Sequence, residues 1–375
     1  MGRSRNLFQS FPRAAAKSTF FCSLIGFVLL TAPGCGGKSN SSITGPPPPP
    51  SFTTIDAPDA GTAKFQGTIA IVVNDGGDIA GPFVDSNMNS HGFVRSAAGT
   101  ITTFDAPGAG TLANQGTLVT AINASGTIAG SYIDQGFVFH GFLRTQGGTF
   151  TTFDVPNAQE TLLLGLNDSG ATAGSFIDVG GNHGFLRASD GTITTFDIPN
   201  QAGSAPSRIN ASGTIAGFFF YVNTVLHGFL RAPDGTLTTF DAPGAGTAPQ
   251  DGTFANGINA GGLVVGSVRG SGVRHSYLRA ADNTYTVFDP PSAGPSGSTA
   301  NSISENGAIV GTYTDANGAI HGYLRNTDGA FTTIDDPNGI IGTNSGTSIS
   351  SINASGVIVG LFVDSAHAHH GFVRK

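Results

Sequence analysis

The sequence predicts an all-β fold: a seven-bladed β-propeller with four antiparallel strands per blade, its ring closed by the N-terminal strand completing the C-terminal blade. Three observations carry this. Four short signatures each recur seven times between Ser51 and Lys375. Their period of 43 to 49 residues suits a four-stranded blade. The chain also enters and leaves in different phases of the repeat, so its two ends are complementary.

The second full repeat shows the elements in order. Strand a is expected at Ala121-Ile122, strand b at Thr127 to Ile133, strand c at His140 to Arg144 and strand d at Phe150 to Asp154. These short runs are rich in Ile, Thr, Tyr and Phe, and Gly, Asn, Asp or Pro bounds them. The a–b turn is Asn-Ala-Ser-Gly at Asn123 to Gly126 and Asn210 to Gly213. Asn bonds its own backbone and Gly tolerates positive φ, which suits a tight hairpin. Asp-Gly pairs at Asp190, Asp234 and Asp328 mark c–d turns in the same way. Pro58, Pro107, Pro156, Pro199, Pro243, Pro291 and Pro337 end strand d, because proline cannot donate to a ladder.

Spacing separates rigid from variable segments. Each of the histidines His91, His140, His183, His227, His275 and His321 stands 14 residues before an aspartate, from Asp105 to Asp335. The turn residue (Asn74, Asn123, Asn167, Asn210, Asn259, Ser304, Asn353) always stands 7 residues before the glycine of strand b. The d–a connection alone varies widely, from 13 to 18 residues between markers. Variable loops on a rigid scaffold are where binding usually lives. In an antiparallel meander the d–a and b–c loops share one face, so a ligand is expected there.

The chain begins on strand d, Phe52 to Asp56, with no strand c before it, and ends on strand c, His370 to Arg374, with no strand d after it. An unpaired edge invites association. The two orphans are therefore expected to pair antiparallel and bring Asp56 to His370. A linear solenoid, the main rival, would leave its ends to be capped.

Residues 1–34 read as a signal peptide, 35–50 as a flexible Gly/Ser/Pro-rich tether and 51–375 as the propeller domain. Arg3, Arg5, Arg13 and Lys17 precede an apolar run, Phe20 to Thr31, too short for a membrane span of about 20 residues but suited to export. Thr31-Ala-Pro-Gly-Cys35 follows and resembles the lipobox of bacterial lipoproteins. That likeness implies a diacylglycerol on Cys35 as the new N-terminus, and so an outer-membrane or cell-surface location, with membrane contact through the anchor alone. The alternative is an ordinary secretory signal and a free Cys35. Both cysteines, Cys22 and Cys35, lie outside the repeats, so no disulfide framework is expected. Beyond the leader the chain has 13 Lys plus Arg against 24 Asp plus Glu, a balance that argues against nucleic-acid binding.

Six of the seven strand-c signatures read His-Gly-Phe or His-Gly-Tyr, and the seventh carries Ser276. With the preceding Ile-Asn-Ala-Ser-Gly-x-Ile-Ala-Gly, they resemble the HAF repeat family of extracellular bacterial proteins. The resemblance covers nearly everything after Ser51. It implies an exported propeller-like protein and brings no activity or catalytic residue.

The His and Asp recurring in every repeat read as a structural pair, since an active site is a single asymmetric place. His367, His369 and His370 are a metal candidate without supporting ligands. Phe218 to Tyr221 reads as packing before it reads as a sugar platform. Arg269 and Arg274 read as a solvated loop before an anion site. Phosphate loops, nucleophile elbows and His-Glu-x-x-His are absent from the sequence. No catalytic residue, cofactor or metal ligand is therefore assigned, and no enzyme activity is expected. The expected function is an envelope binding scaffold for a glycan or protein ligand. The alternative is a lyase or hydrolase acting on an extracellular polysaccharide.

Overall fold

The computed structural model describes residues 51–375. The leader, the tether and Cys35 lie outside the described residues. The described chain is all β, with no helix. The second repeat folds as Gly116–Ile122, Ile128–Ile133, Phe139–Arg144 and Phe150–Phe153. Consecutive strands pair antiparallel, a with b, b with c and c with d. The same order recurs in every repeat, hereafter groups one to seven.

Strand a is longer than the sequence suggested, because a bulge between Val119 and Ala121 breaks its alternation. The same slip recurs between Leu163 and Gly165, Pro206 and Arg208, and Ala255 and Gly257. In group one strand a is two fragments, Gly67–Thr68 and Val72–Val73.

The strands do not divide into seven separate four-stranded sheets, which corrects the simplest form of the expectation. They form sheets of 13, 12 and 4 strands. Parallel bridges from strand c to the next strand a join neighbours, as at Ser90↔Gly116 and Leu226↔Gly252. The bridge needs glycine: φ at Gly116 is 109°, and a Cβ there would sit 1.9 Å from the Ser90 carbonyl oxygen. Between groups five and six, and between six and seven, the bridges are isolated (Arg274↔Gly297, Ile320↔Gly346), which leaves group six as its own sheet.

The N-terminal strand Phe52–Ile55 pairs antiparallel with His369–Arg374, Phe52 opposite Arg374 and Ile55 opposite Gly371. Group seven therefore draws on both ends of the chain. The core is layered rather than central. Among the described residues eight clusters each draw on two adjacent groups, for example Ala80, Val119, Ile128 and Phe142, or Ile55, Val73, Phe83 and Val359 across the chain ends. This geometry explains the His-Gly-Phe motif. A Cβ at Gly92 would lie 2.4 Å from the ring of Phe104, and one at Gly228 2.4 Å from Phe240. The strand-c arginines cover the same rings from the next group: Arg144 lies 4.6 Å from the Phe104 centroid, and Arg279 4.8 Å from Phe240.

Candidate functional site

The d–a loops and b–c turns meet on one face. Gly61 donates its amide to Val84 and Gly110 to Ile133. Asn89 Nδ2 donates to the carbonyls of Gly110 and Leu112, and Gln115 Nε2 to Gln135. The a–b and c–d turns adjoin at the other end, as where Ala97 N donates to Asp78 Oδ1.

On the loop face every repeat histidine meets its aspartate through Nδ1. Contacts run from 2.5 Å at His275–Asp289 to 3.1 Å at His91–Asp105, and His370–Asp56 is 2.8 Å across the chain ends. The hairpin of strands c and d sets this register, with Gly141 opposite Phe153. A second carboxylate, which the sequence reading missed, faces Nε2 in five groups. Asp178 lies 3.1 Å from His183, and Asp364 3.4 Å from His370. Asp85, Asp134 and Asp315 approach at 3.8, 3.5 and 3.7 Å. The signal was an Asp six residues past the start of strand b, replaced by Tyr221 and Gly270 in groups four and five. Each histidine also stacks on a strand-b ring where one is present, such as Tyr132 on His140 at 4.9 Å.

These turn carboxyls are held below their usual range. Burial pushes Asp85 upward, but the amides of Asn89 and Asn87 and the facing His91 outweigh it. His321 is held above the ordinary imidazole value chiefly by the Asp335 hydrogen bond, which burial opposes and Asp315 reinforces. For His183 burial is the largest influence and pulls downward, yet Asp197 and Asp178 together raise it.

A cavity of about 930 Å³ opens on the loop face beside group one. Asp59 to Ala63 of a d–a loop form one wall, and Asp85, Ser86 and His91 the other. Thr103, Phe104 and Asp105 border it as well. Its polar rim offers the carboxylates of Asp59, Asp85 and Asp105 as acceptors, which suits a hydroxyl-bearing ligand.

The opposite end is drawn shut by asparagines. Asn74 Nδ2 donates to the carbonyl of Asn123 at 3.0 Å, Asn123 to Asn167, Asn167 to Asn210, Asn210 to Asn259 and Asn259 to Ser304. Asn353 donates to Asn74 at 3.0 Å, so the order is cyclic. At the Ser304 step the chain of side chains is interrupted, and Asn306 Nδ2 donates to Ala354 instead. A cavity of about 180 Å³ remains here, lined by residues from the ends of strand a and the a–b turns of the seven groups.

The remaining sequence candidates are each accounted for by neighbours. His370 is taken by Asp56 and Asp364, while His367 lies 3.4 Å from Ser345 Oγ and His369 is half-buried. Among the described residues no group of three or more His, Cys, Asp or Glu is arranged to hold a metal. Phe218 packs on Phe254 of the next group and Phe219 stacks on His227, leaving Tyr221 toward solvent. Arg269 faces Asp251 at 3.6 Å, and Arg274 lies 5.2 Å from the Phe254 centroid.

No family model matches the sequence, and no curated protein matches it either. Solved structures do. Virginiamycin B lyase from Staphylococcus aureus superimposes with a TM-score of 0.57 at 15% identity, over 87% of this chain and 100% of that one. A prolyl endopeptidase gives 0.55 at 10% identity, over 79% of this chain and 46% of that one. Puromycin hydrolase gives 0.50 at 14%, over 80% and 51%. The chain thus spans the whole of the lyase and about half of the other two. At these identities the likeness shows the fold alone, an all-β propeller-like architecture.

Proposed function

We propose that the seven groups are the blades of one closed seven-bladed propeller, related to the HAF repeats, exported and held to the cell envelope by a lipid on Cys35. In this reading it is a binding scaffold for an envelope glycan or protein, engaged through the loop face. The observation that supports this best is the cavity beside Asp59 to Ala63, on the face where connection length varies. The asparagine-closed end has uniform turns. The His–Asp contacts recur in all seven groups, as scaffold features do.

The test is a glycan and envelope-fraction binding screen on the protein from Ser51 onward. Alanine substitutions in Asp105 to Thr111, in Asp241 to Thr247 and at Asp59 and Thr62 are expected to weaken binding. Substitutions in Asn123 to Gly126 are expected to lower stability alone. The reverse pattern would overturn the assignment. Turnover of a polysaccharide in the same screen would favour the lyase or hydrolase reading.

A further inference from the structure

Arg208 lies on the inner strand of group four, Gly203–Ile209, at the bulge after Pro206. The inner strands of all seven groups adjoin one another in cyclic order, so they surround the axis. The residues at the same place in the other groups are Val72, Ala121, Gly165, Gly257, Ser302 and Ser351, none of them charged. One residue earlier, Thr120, Asn256 and Asn301 each reach forward to a carbonyl of the next group's inner strand, at 2.9, 2.9 and 2.7 Å. Arg208 reaches the other way. Its Nη1 donates to the Ser207 carbonyl at 2.9 Å and to the Leu164 carbonyl of group three at 3.3 Å. These two bonds draw the guanidinium across the open inner edge of its own strand.

The charge is left uncompensated there. Burial pulls the guanidinium below its ordinary range, and no carboxylate is close enough to raise it. The side chain is still only part-buried, so solvent reaches it. A cation partly withdrawn from bulk water with no counter-charge beside it is disfavoured. Contacts that serve strand packing alone are made elsewhere in this band by neutral Thr and Asn. With Nη1 committed to two carbonyls, the Nε–Nη2 edge is the fork that remains. No hydrogen bond from that edge to protein is present among the described residues. Such an edge matches the two oxygens of a carboxylate.

We propose that Arg208 forms an anion site on the axis of the ring, taking a small molecule that carries a carboxylate. This site is separate from the loop-face cavity, and neither reading depends on the other.

The experiment titrates acetate, and in parallel inorganic phosphate, into the purified protein at constant ionic strength. It follows Tm and the arginine Nε–H resonances, with Arg208 assigned as the resonance missing from Arg208→Lys. Acetate is expected to move that resonance saturably and to raise Tm in the wild type. Arg208→Gln is expected to lose about tenfold or more in acetate affinity, the scale of a charge-assisted hydrogen bond. Arg208→Lys, which keeps charge without the fork, should also bind acetate more weakly. An unmoved Arg208 resonance in the wild type overturns the site even if Arg208→Gln fails to fold. Equal acetate binding by Arg208→Gln overturns it as well. A response to phosphate without one to acetate overturns the carboxylate assignment.

Discussion

Removing Ser51 to Pro58 tests the joining of the chain ends. Ile55 is 1% exposed and lies in a cluster with Val73, Phe83, Val359 and Val373. Phe52 packs on Phe372 at 5.7 Å between ring centroids. Ser51 and Lys375 exchange both amide bonds, at 3.2 and 3.1 Å. Ala57 N donates to Thr68 Oγ1 at 2.8 Å. The net worth of a backbone bond, about 0.5–1.5 kcal/mol, nearly cancels against about 1–2 kcal/mol of ordering entropy per residue. Apolar burial therefore decides the outcome. Ile55 supplies about 2–3 kcal/mol, and Ile55→Ala is expected to cost about 2–5 kcal/mol once its cavity is included. The deletion also uncovers Phe372 and Val373, so roughly twice the Ile55 loss is expected, a large share of an ordinary domain's 5–15 kcal/mol. At about 2 °C per kcal/mol for a large domain, Tm should fall by roughly 10 °C, measured by calorimetry on a chain starting at Asp59. Thr54→Ala, at an exposed position of the same strand, should change Tm little. A deletion that melts like the intact chain, or no lower than Thr54→Ala, would refute the reasoning.

Three further outcomes are expected. Tyr323 OH bonds Ser276 Oγ at 2.9 Å, whereas the buried Tyr277 OH has no partner, since the equivalent residue one group back is Gly228. Urea unfolding should thus show Tyr323→Phe losing about 1 kcal/mol and Tyr277→Phe losing nothing or gaining. Asp336 is 2% exposed with Oδ2 unpaired, where other groups carry Ala57, Ala106 or Val155. Burial raises its carboxyl, so the folded state is penalised once pH passes the unfolded value. Asp336→Ala should stabilise by about 1–3 kcal/mol, with the gain opening between pH 4 and pH 7 in urea melts. His321 binds its proton more tightly when folded. Its contribution is therefore fully present below the unfolded value of about 6.5 and is lost as pH rises through the raised folded value. The Tm difference between wild type and His321→Gln should shrink from pH 6 to pH 9, and an NMR midpoint at or below 6.5 would contradict the assignment.

The sequence by itself determined the repeat, the strand order and the pairing of each histidine with its aspartate. These follow from local chemistry: turn residues stop strands, and a constant count of 14 residues around a hairpin fixes which side chains meet. It also determined that Phe52 to Asp56 would pair with strand c of His370 to Arg374, because each lacked a neighbour within its own repeat, and Phe52–Ile55 does pair with His369–Arg374. The tertiary structure decided what depends on the next group. Within a group it also decided that the b–c turn folds back to bring its aspartate to Nε2 of five of the seven histidines. The asparagine chain looked like seven separate turn residues, yet each Nδ2 finds its acceptor more than 40 residues away, as Asn74 does at Asn123. Gly116 was one glycine among 56 until a carbonyl stood where its Cβ would be. Arg208 gave no signal in the sequence. Its setting exists only where seven inner strands converge, and a side chain's distance from a symmetry axis is not written in its own neighbourhood.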